Sequence, residues 1–279
     1  MRIAHTIAEA RAARADLPAT CGFVPTMGFL HAGHRTLMDH ARAECQSLAI
    51  SIFVNPTQFG PGEDFERYPR DEVRDLAMCE AAGADLVFMP TVHEMYPAGA
   101  TTTVTVGGIT SVLEGAHRPG HFDGVATVVS KLFHIMQPDR AYFGQKDAQQ
   151  LLVIRSMVRD LDMPVTIVAC PTVREPDGLA LSSRNVYLSP EERMQALSLS
   201  RGLRQTAAAF TEGVRNAPRL RGIVEREVAA QPLARIDYVS LADADMLAEL
   251  DGEIVAPALL SMAVRFGRTR LIDNAVLTP

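Results

Sequence analysis

The stretch Pro25-Thr26-Met27-Gly28-Phe29-Leu30-His31-Ala32-Gly33-His34 decides the fold of this chain, because it joins a strand pattern to a helical one. Cys21 to Val24 is a short apolar run, and from His34 onward Leu37, Met38, Ala41 and Cys45 recur at the spacing of one helix face. A helix is therefore expected to start near Gly33. The first N–H groups of a helix have no intrahelical partner and carry partial positive charge, so they face any anion held beyond the carboxyl end of the preceding strand. Gly33 has no Cβ and lets a nucleotide approach the backbone. By itself H-x-G-H also fits two cap histidines beside a tight turn, so the rest of the chain has to decide.

Working outward, apolar β-branched runs near 21–25, 48–54, 85–89, 140–144 and 165–169 alternate with helical patterns near 34–45, 71–82, 122–136 and 147–160. That alternation predicts an α/β fold with a parallel sheet covered on both faces, in which ligands sit beyond the carboxyl ends of the strands. His31, His34 and Lys146 directly follow strands and are expected on that rim. The Pro-, Gly- and charge-rich stretch 171–178 (PTVREPDG) reads as a junction. Beyond it, Ser189-Pro190-Glu191-Glu192 carries the cap, proline and capping-box signals of a helix start. Helices at roughly 190–209 and 217–230 and strands at 235–241, 258–266 and 269–273 describe a smaller α+β unit. The expected division is 1–175 and 176–279.

Composition narrows the class. The 279 residues are 47% hydrophobic and 22% charged with a formal net charge of −6, which suits a globular domain with a full core. An acidic chain is poorly suited to binding nucleic acid, so any polyanion it holds is expected to be small and met by a local cluster. Cys21, Cys45, Cys79 and Cys170 show no metal or redox spacing and read as buried small hydrophobes of a reducing compartment. No apolar run reaches the roughly 18 residues of a membrane span, and no leader pattern opens the chain. A cytoplasmic location without a membrane partner is expected.

The chemistry-bearing residues form a consistent set. His31, His34, Lys146, Ser182, Ser183 and Arg184, without metal-binding cysteines or a P-loop, can hold a triphosphate. Attack of a carboxylate on the α-phosphate of ATP brings two anions together, so catalysis consists of positioning and of positive charge placed where negative charge develops. Arg184 and Lys146 suit the β- and γ-oxygens, and a histidine donor suits the α-phosphate. Mg2+ is expected to be carried by the phosphates, with no protein ligands assigned to it.

Five segments in order, P-T-M-G-x-L-H-x-G-H, F-V-N-P-x-Q-F, R-P-G-H-F-x-G-V-A-T-V-V, G-x-K-D-x-Q-Q and S-S-R-N-x-Y-L, resemble the pantothenate synthetase family. The resemblance is dense over residues 21–190, and Thr269 to Asn274 looks like the family's closing strand. It implies a Rossmann-like ATP- and pantoate-binding domain with a C-terminal lid, condensation of pantoate with β-alanine through a pantoyl-adenylate, release of AMP and pyrophosphate, and a homodimer. His34 is then the phosphate-stabilising residue with His31 as its partner, and Lys146 completes the catalytic set. Met27, Gly33, Gly144, Gln145, Lys146 and Asp147 are implied in ATP binding, Val173 in adenine recognition through its backbone, and Leu181, Ser182, Ser183 and Arg184 in holding the triphosphate tail. Gln58 and Gln150 are implied in holding pantoate, with Asn55 on the same strand end.

Other residues read more plainly. Arg118 and His121 flank a Pro-Gly turn, and His121 is expected to be a simple turn residue. Asp64, Glu66, Tyr68 and Arg70 suggest a flap or a charged surface loop; Asp75 could reach a metal, but a solvated helix face is the expectation. Leu181, Gln145, Ala148 and Ala32 depart from the family's usual Met, Glu, Tyr and Glu, but no phosphate-facing group is lost. The competing readings are another adenylyl- or cytidylyltransferase sharing H-x-G-H and the serine/arginine loop, and a nucleotide-binding regulatory module without turnover.

Overall fold

A computed structural model describes residues 1–63 and 65–279; Asp64, one of the proposed flap residues, lies outside the described residues. The chain forms two compact units. The first comprises 1–111, 115–145 and 149–171, and the second 112–114, 146–148 and 172–279.

In the first unit the order of elements is β1 (Arg2–Ala4), α1 (Ile7–Ala15), β2 (Cys21–Thr26), α2 (Ala32–Glu44), β3 (Ser47–Ile52), α3 (Glu72–Ala81), β4 (Leu86–Phe88), α4 (Val92–Met95), α5 (Glu114–His117), α6 (His121–Met136), β5 (Arg140–Gly144), α7 (Ala148–Asp160) and β6 (Thr166–Cys170). Glu114 of α5 and Ala148 of α7 group with the second unit. The six strands form one sheet in the order β1-β4-β3-β2-β5-β6, and all five pairings are parallel. The predicted strand at 48–54 ends earlier, at Ile52, where Asn55 caps a 3-10 turn over Pro56–Gln58. The edge strand β1 and helix α1 went unread in the sequence, because β1 has only three residues and α1 buries only Ala10, so neither shows a strong apolar pattern.

The strand order puts the topological reversal between β2 and β5. From β2 the chain winds outward through β3 and β4, then returns to β5 and β6 on the other side. A crevice beyond the carboxyl ends of strands at such a reversal is the usual ligand site of an open α/β sheet. The segments that leave β2 and β5 there are Met27–His34 and Gly144-Gln145. The core beneath joins Val24, Leu30, Met38, Leu48, Ile50, Val87 and Tyr142 with Cys45, Cys79 and Cys170, and all four cysteines are buried and unpaired. The other sheet face meets α6, whose buried side chains occur all round it, from Phe122 to Met136.

In the second unit α8 (Pro190–Thr211) and α9 (Ala217–Ala229) accompany an antiparallel sheet of β7 (Ala234–Asp243), β8 (Ala258–Phe266) and β9 (Thr269–Leu277) in the order β7-β8-β9. Ser189 and Glu192 form the predicted capping box of α8. Leu199, Leu203, Phe210, Val224, Leu260, Met262, Val264 and Phe266 build this unit's own core. No helix among the described residues is long and apolar enough to cross a membrane.

Candidate active site

The turn after β2 is held from two sides. Thr26 Oγ1 donates to Ser51 O at 2.8 Å and accepts from Gly28 N–H at 3.2 Å. Gly28 has φ +79° and Phe29 φ +48°, so two successive residues lie in the left-handed region, which is uncommon for a residue with a side chain. Asp75 of α3 stabilises this shape: its Oδ2 accepts from Phe29 N–H and its Oδ1 from Leu30 N–H, both at 2.7 Å. The neighbouring Arg74 donates to Leu30 O at 2.9 Å, and its guanidinium lies 5.1 Å from the Phe29 ring centre. Asp75 is 2% exposed, which overturns the solvated-face reading. The signal lay in spacing: Asp75 is one helical turn before the core residue Cys79 and so shares its buried face.

His31 and His34 then cap α2 reciprocally. Gly33 N–H donates to His31 Nδ1 at 3.2 Å, and His31 N–H donates to His34 Nδ1 at 3.3 Å. The ring centres stand 4.1 Å apart. A ring nitrogen that accepts from a backbone N–H must keep its lone pair, so a neutral ring carries its proton on Nε2. Both rings thereby become Nε2–H donors at the amino end of a 13-residue helix. The capping role of H-x-G-H is thus observed, and it is compatible with the phosphate reading, since the capping bonds leave an Nε2–H donor on each neutral ring. Met27 of the proposed set is half-buried in the same turn.

At the end of β3, Asn55 is 1% exposed and Gln58 8% exposed. Asn55 Nδ2 donates to Gln58 Oε1 at 2.9 Å and to Gly124 O at 3.1 Å, and its Oδ1 accepts from Tyr96 OH at 2.9 Å. The amide of Gln58 is therefore oriented with its oxygen engaged and its Nε2 donor turned away. Gly124 on α6 permits this packing. A Cβ there would meet the carbonyl of Thr57, so α6 lies against the backbone of the 3-10 turn.

His121 and Arg118 are more than turn residues. His121 Nδ1–H donates to Gln58 O at 2.8 Å, and Arg118 donates to the same carbonyl at 3.2 Å and to His121 Nε2 at 3.1 Å. The Arg118 guanidinium also forks onto Glu63 at 2.7 and 2.6 Å. Burial pushes the Glu63 carboxyl upward, but the Arg118 hydrogen bond and charge outweigh it and hold the carboxyl below its ordinary value. The flap reading also changes at Tyr68, which is buried and meets Phe59 edge-on at 5.8 Å.

At the end of β5, nothing lies within 4 Å of where a Cβ on Gly144 would point, so the backbone there is open to a ligand. Gln145 and Gln150 are half-buried, whereas Gln149 is buried and spends its Nε2 on Ile109 O at 2.7 Å. Of the two consecutive glutamines, Gln149 therefore has a structural partner for its amide nitrogen.

In the second unit, Lys146 O accepts from Asn274 Nδ2 at 2.8 Å, and Lys146 Nζ stands 3.5 Å from Asp147 Oδ1. The loop after Pro171 is braced at its base. Arg174 pairs with buried Asp273 at 2.6 and 2.9 Å, and Val173 O accepts from Leu181 N–H at 2.9 Å. Glu175 accepts from Asn185 and Arg193 at 2.8 and 2.7 Å. Ser182 caps the 3-10 turn Ser183–Tyr187 by accepting from Arg184 N–H at 3.3 Å, and Arg184 is half-buried. Among the described residues, no group of three or more His, Cys, Asp or Glu could hold a metal ion.

A family model for pantoate-beta-alanine ligase matches residues 2–276. Pantothenate synthetase of Chloroflexus aggregans is 61% identical over 277 residues, covering 99% of this chain and all of the relative. The crystal structure of pantothenate synthetase from Thermus thermophilus superposes with a TM-score of 0.95 at 52% identity, over the full length of both chains. That of pantoate-beta-alanine ligase from Francisella tularensis, complexed with beta-gamma ATP and beta-alanine, gives 0.81 at 34% identity, over 99% of this chain and 97% of that one. With the sheet order, the histidine caps and the match over nearly the whole sequence in agreement, the chain belongs to the pantoate-beta-alanine ligase family.

Proposed function

We propose that this chain makes pantothenate from pantoate and β-alanine at the expense of ATP. A carboxylate oxygen of pantoate attacks the α-phosphorus of ATP, the bond to the bridging oxygen breaks, and pyrophosphate leaves. The amine of β-alanine then attacks the acyl carbon of the adenylate, AMP departs, and the amine loses its proton to solvent. The observation that carries this reading is the pair of Nε2–H donors set by the reciprocal His31/His34 caps at the sheet's reversal point, in a chain matched to the family over residues 2–276.

In this reading His34 donates to the α-phosphate as negative charge builds there, and His31 supports it. Lys146, Asp147, Leu181, Ser182, Ser183 and Arg184 serve the phosphates and ribose, Gly144 and Gln145 pass close to the nucleotide backbone-first, and Val173 contacts adenine through its main chain. Gln58, oriented by Asn55, and Gln150 hold the hydroxyl and carboxylate of pantoate. Residues 176–279 act as the lid domain. Mg2+ arrives with ATP, and the chain works as a cytoplasmic homodimer, a state that sedimentation would check.

The test is ATP–pyrophosphate exchange. Exchange that requires pantoate and proceeds without β-alanine is expected, because the adenylate forms before any amine attacks. Gln58→Ala and Gln150→Ala should each weaken it by about 1 to 3 kcal/mol, the cost of leaving a buried polar partner unpaired. Exchange that unrelated hydroxy acids support equally well would replace this reading with a broader adenylyltransferase.

A further inference from the structure

Asp75 is a buried carboxylate whose hydrogen bonds go to main-chain N–H groups far away in sequence. Its carboxylate is 2% exposed, lies on a helix outside the sheet, and spends each oxygen on one N–H of the two-residue turn ahead of His31. Burying a carboxylate is costly unless hydrogen bonds offset it, and replacement by an apolar residue of similar size is commonly neutral or stabilising. Burial raises the Asp75 carboxyl above its ordinary range, against the lowering by Leu30 N–H, Phe29 N–H and the Arg74 charge, with Asp71 adding to the rise. What the carboxylate supplies in this position is two acceptors for the two N–H groups of one turn.

The geometry points to Asp75 as a positioning residue for the phosphate-binding turn, holding Gly28 and Phe29 in the left-handed shape, with Leu30 bound next to them, that places His31 and His34. The path is short, two hydrogen bonds joined by one peptide link. Asp75 holds Leu30 N–H, Leu30 precedes His31, His31 N–H bonds His34 Nδ1, and that bond sets which nitrogen of His34 donates. Arg74 grips the same turn from the carbonyl side. The turn is tightly enclosed, because a Cβ on Gly28 would stand 3.0 Å from both Asp75 Oδ2 and Ile52 Cγ2. Released from the carboxylate, a non-glycine residue at φ +48° has every reason to relax toward the right-handed region, carrying the histidine caps with it.

The catalytic consequence rests on the proposed adenylate-forming activity, whereas the effect on the histidines does not, and the experiment separates them. Asp75→Asn keeps the shape and one acceptor oxygen but turns an NH2 toward the second N–H. In pantoate-dependent exchange, kcat should fall by about 10²-fold, the scale of an ångström-sized misplacement, with the KM for pantoate unchanged. The melting temperature should drop by only about 2 to 4 °C. In 15N-histidine spectra of the unliganded protein, the His34 Nδ1 resonance should shift toward that of an exchanging tautomer mixture. Arg74→Ala, which removes the Leu30 carbonyl contact and the guanidinium over the Phe29 ring while leaving both Asp75 hydrogen bonds in place, should move both readouts the same way by less, and takes over the test if Asp75→Asn does not fold. Wild-type exchange and unshifted His34 signals in a folded variant would overturn the inference, as would a kcat loss that merely follows the unfolded fraction. A wild-type protein without pantoate-dependent exchange would instead refute the proposed function, and the histidine spectra would still judge Asp75.

Discussion

Gly124→Ala separates local propensity from site geometry, because the two predict opposite signs. Gly124 lies in the first turns of α6, where alanine is the better helix former by about 0.5 to 1 kcal/mol. Yet its Cβ would stand 2.5 Å from the carbonyl carbon of Thr57 and 2.9 Å from Gln58 N. Carbon atoms in contact sit about 3.5 to 4.0 Å apart, so the 3-10 turn or the helix must yield by about 1 Å. Overpacking of this kind costs about 1 to 3 kcal/mol. The net expectation is a loss of about 1 to 2 kcal/mol, or a melting temperature lower by about 2 to 8 °C. The same displacement moves Gln58 and strains the Asn55 bond to Gly124 O. The kcat/KM for pantoate in ATP–pyrophosphate exchange should therefore fall about 10²-fold, with the KM for ATP unaffected. A melting temperature that rises by the propensity gain, together with unchanged kinetics for pantoate, would refute the claim that close approach at Gly124 sets the position of Gln58.

Three further outcomes are expected. His34→Ala and Lys146→Ala should each lower turnover by about 10² to 10³ in steady-state assays, the usual effect of losing one transition-state donor; His34→Ala should also melt earlier, by the value of a cap, about 1 kcal/mol. Gly144→Ala meets open space, so it should melt like the parent, and any fall in ATP affinity measured by calorimetry reports a ligand against that backbone. Because Arg118 holds Glu63 below its ordinary value of 4.5, the pair's contribution is complete above that pH and is lost as pH falls through the lowered value. The stability advantage of the parent over Arg118→Met, read from urea midpoints, should thus be largest near neutrality and close in acid.

The sheet and most of its helices were legible because alternating strand and helix patterns leave one physical solution, a parallel sheet covered by helices. The histidine pair was legible as a motif, but the meaning of its bonds was not, since two readings of four residues cannot be separated without the backbone they cap. What stayed hidden depends on contacts distant in sequence. Asp75 reaches Leu30 across 45 residues, and His121 reaches Gln58 across 63, distances over which periodicity carries no information. Asp75 also looked solvated because a charged residue in a charged helix usually is, and only its turn spacing to Cys79 hinted otherwise. The strand β1 pairs through just Arg2, Ile3 and Ala4 with β4, too few residues for alternation to register.

The histidine caps also govern the proton balance of binding. Each cap uses Nδ1 as its acceptor and so requires it unprotonated, and under the proposed function a polyphosphate would meet dipoles and N–H donors there and not a pair of positive charges. Nucleotide entry at this helix end then calls for no proton uptake by either ring. The heat of nucleotide binding should accordingly be insensitive to the ionisation enthalpy of the buffer, as far as these two residues contribute to it.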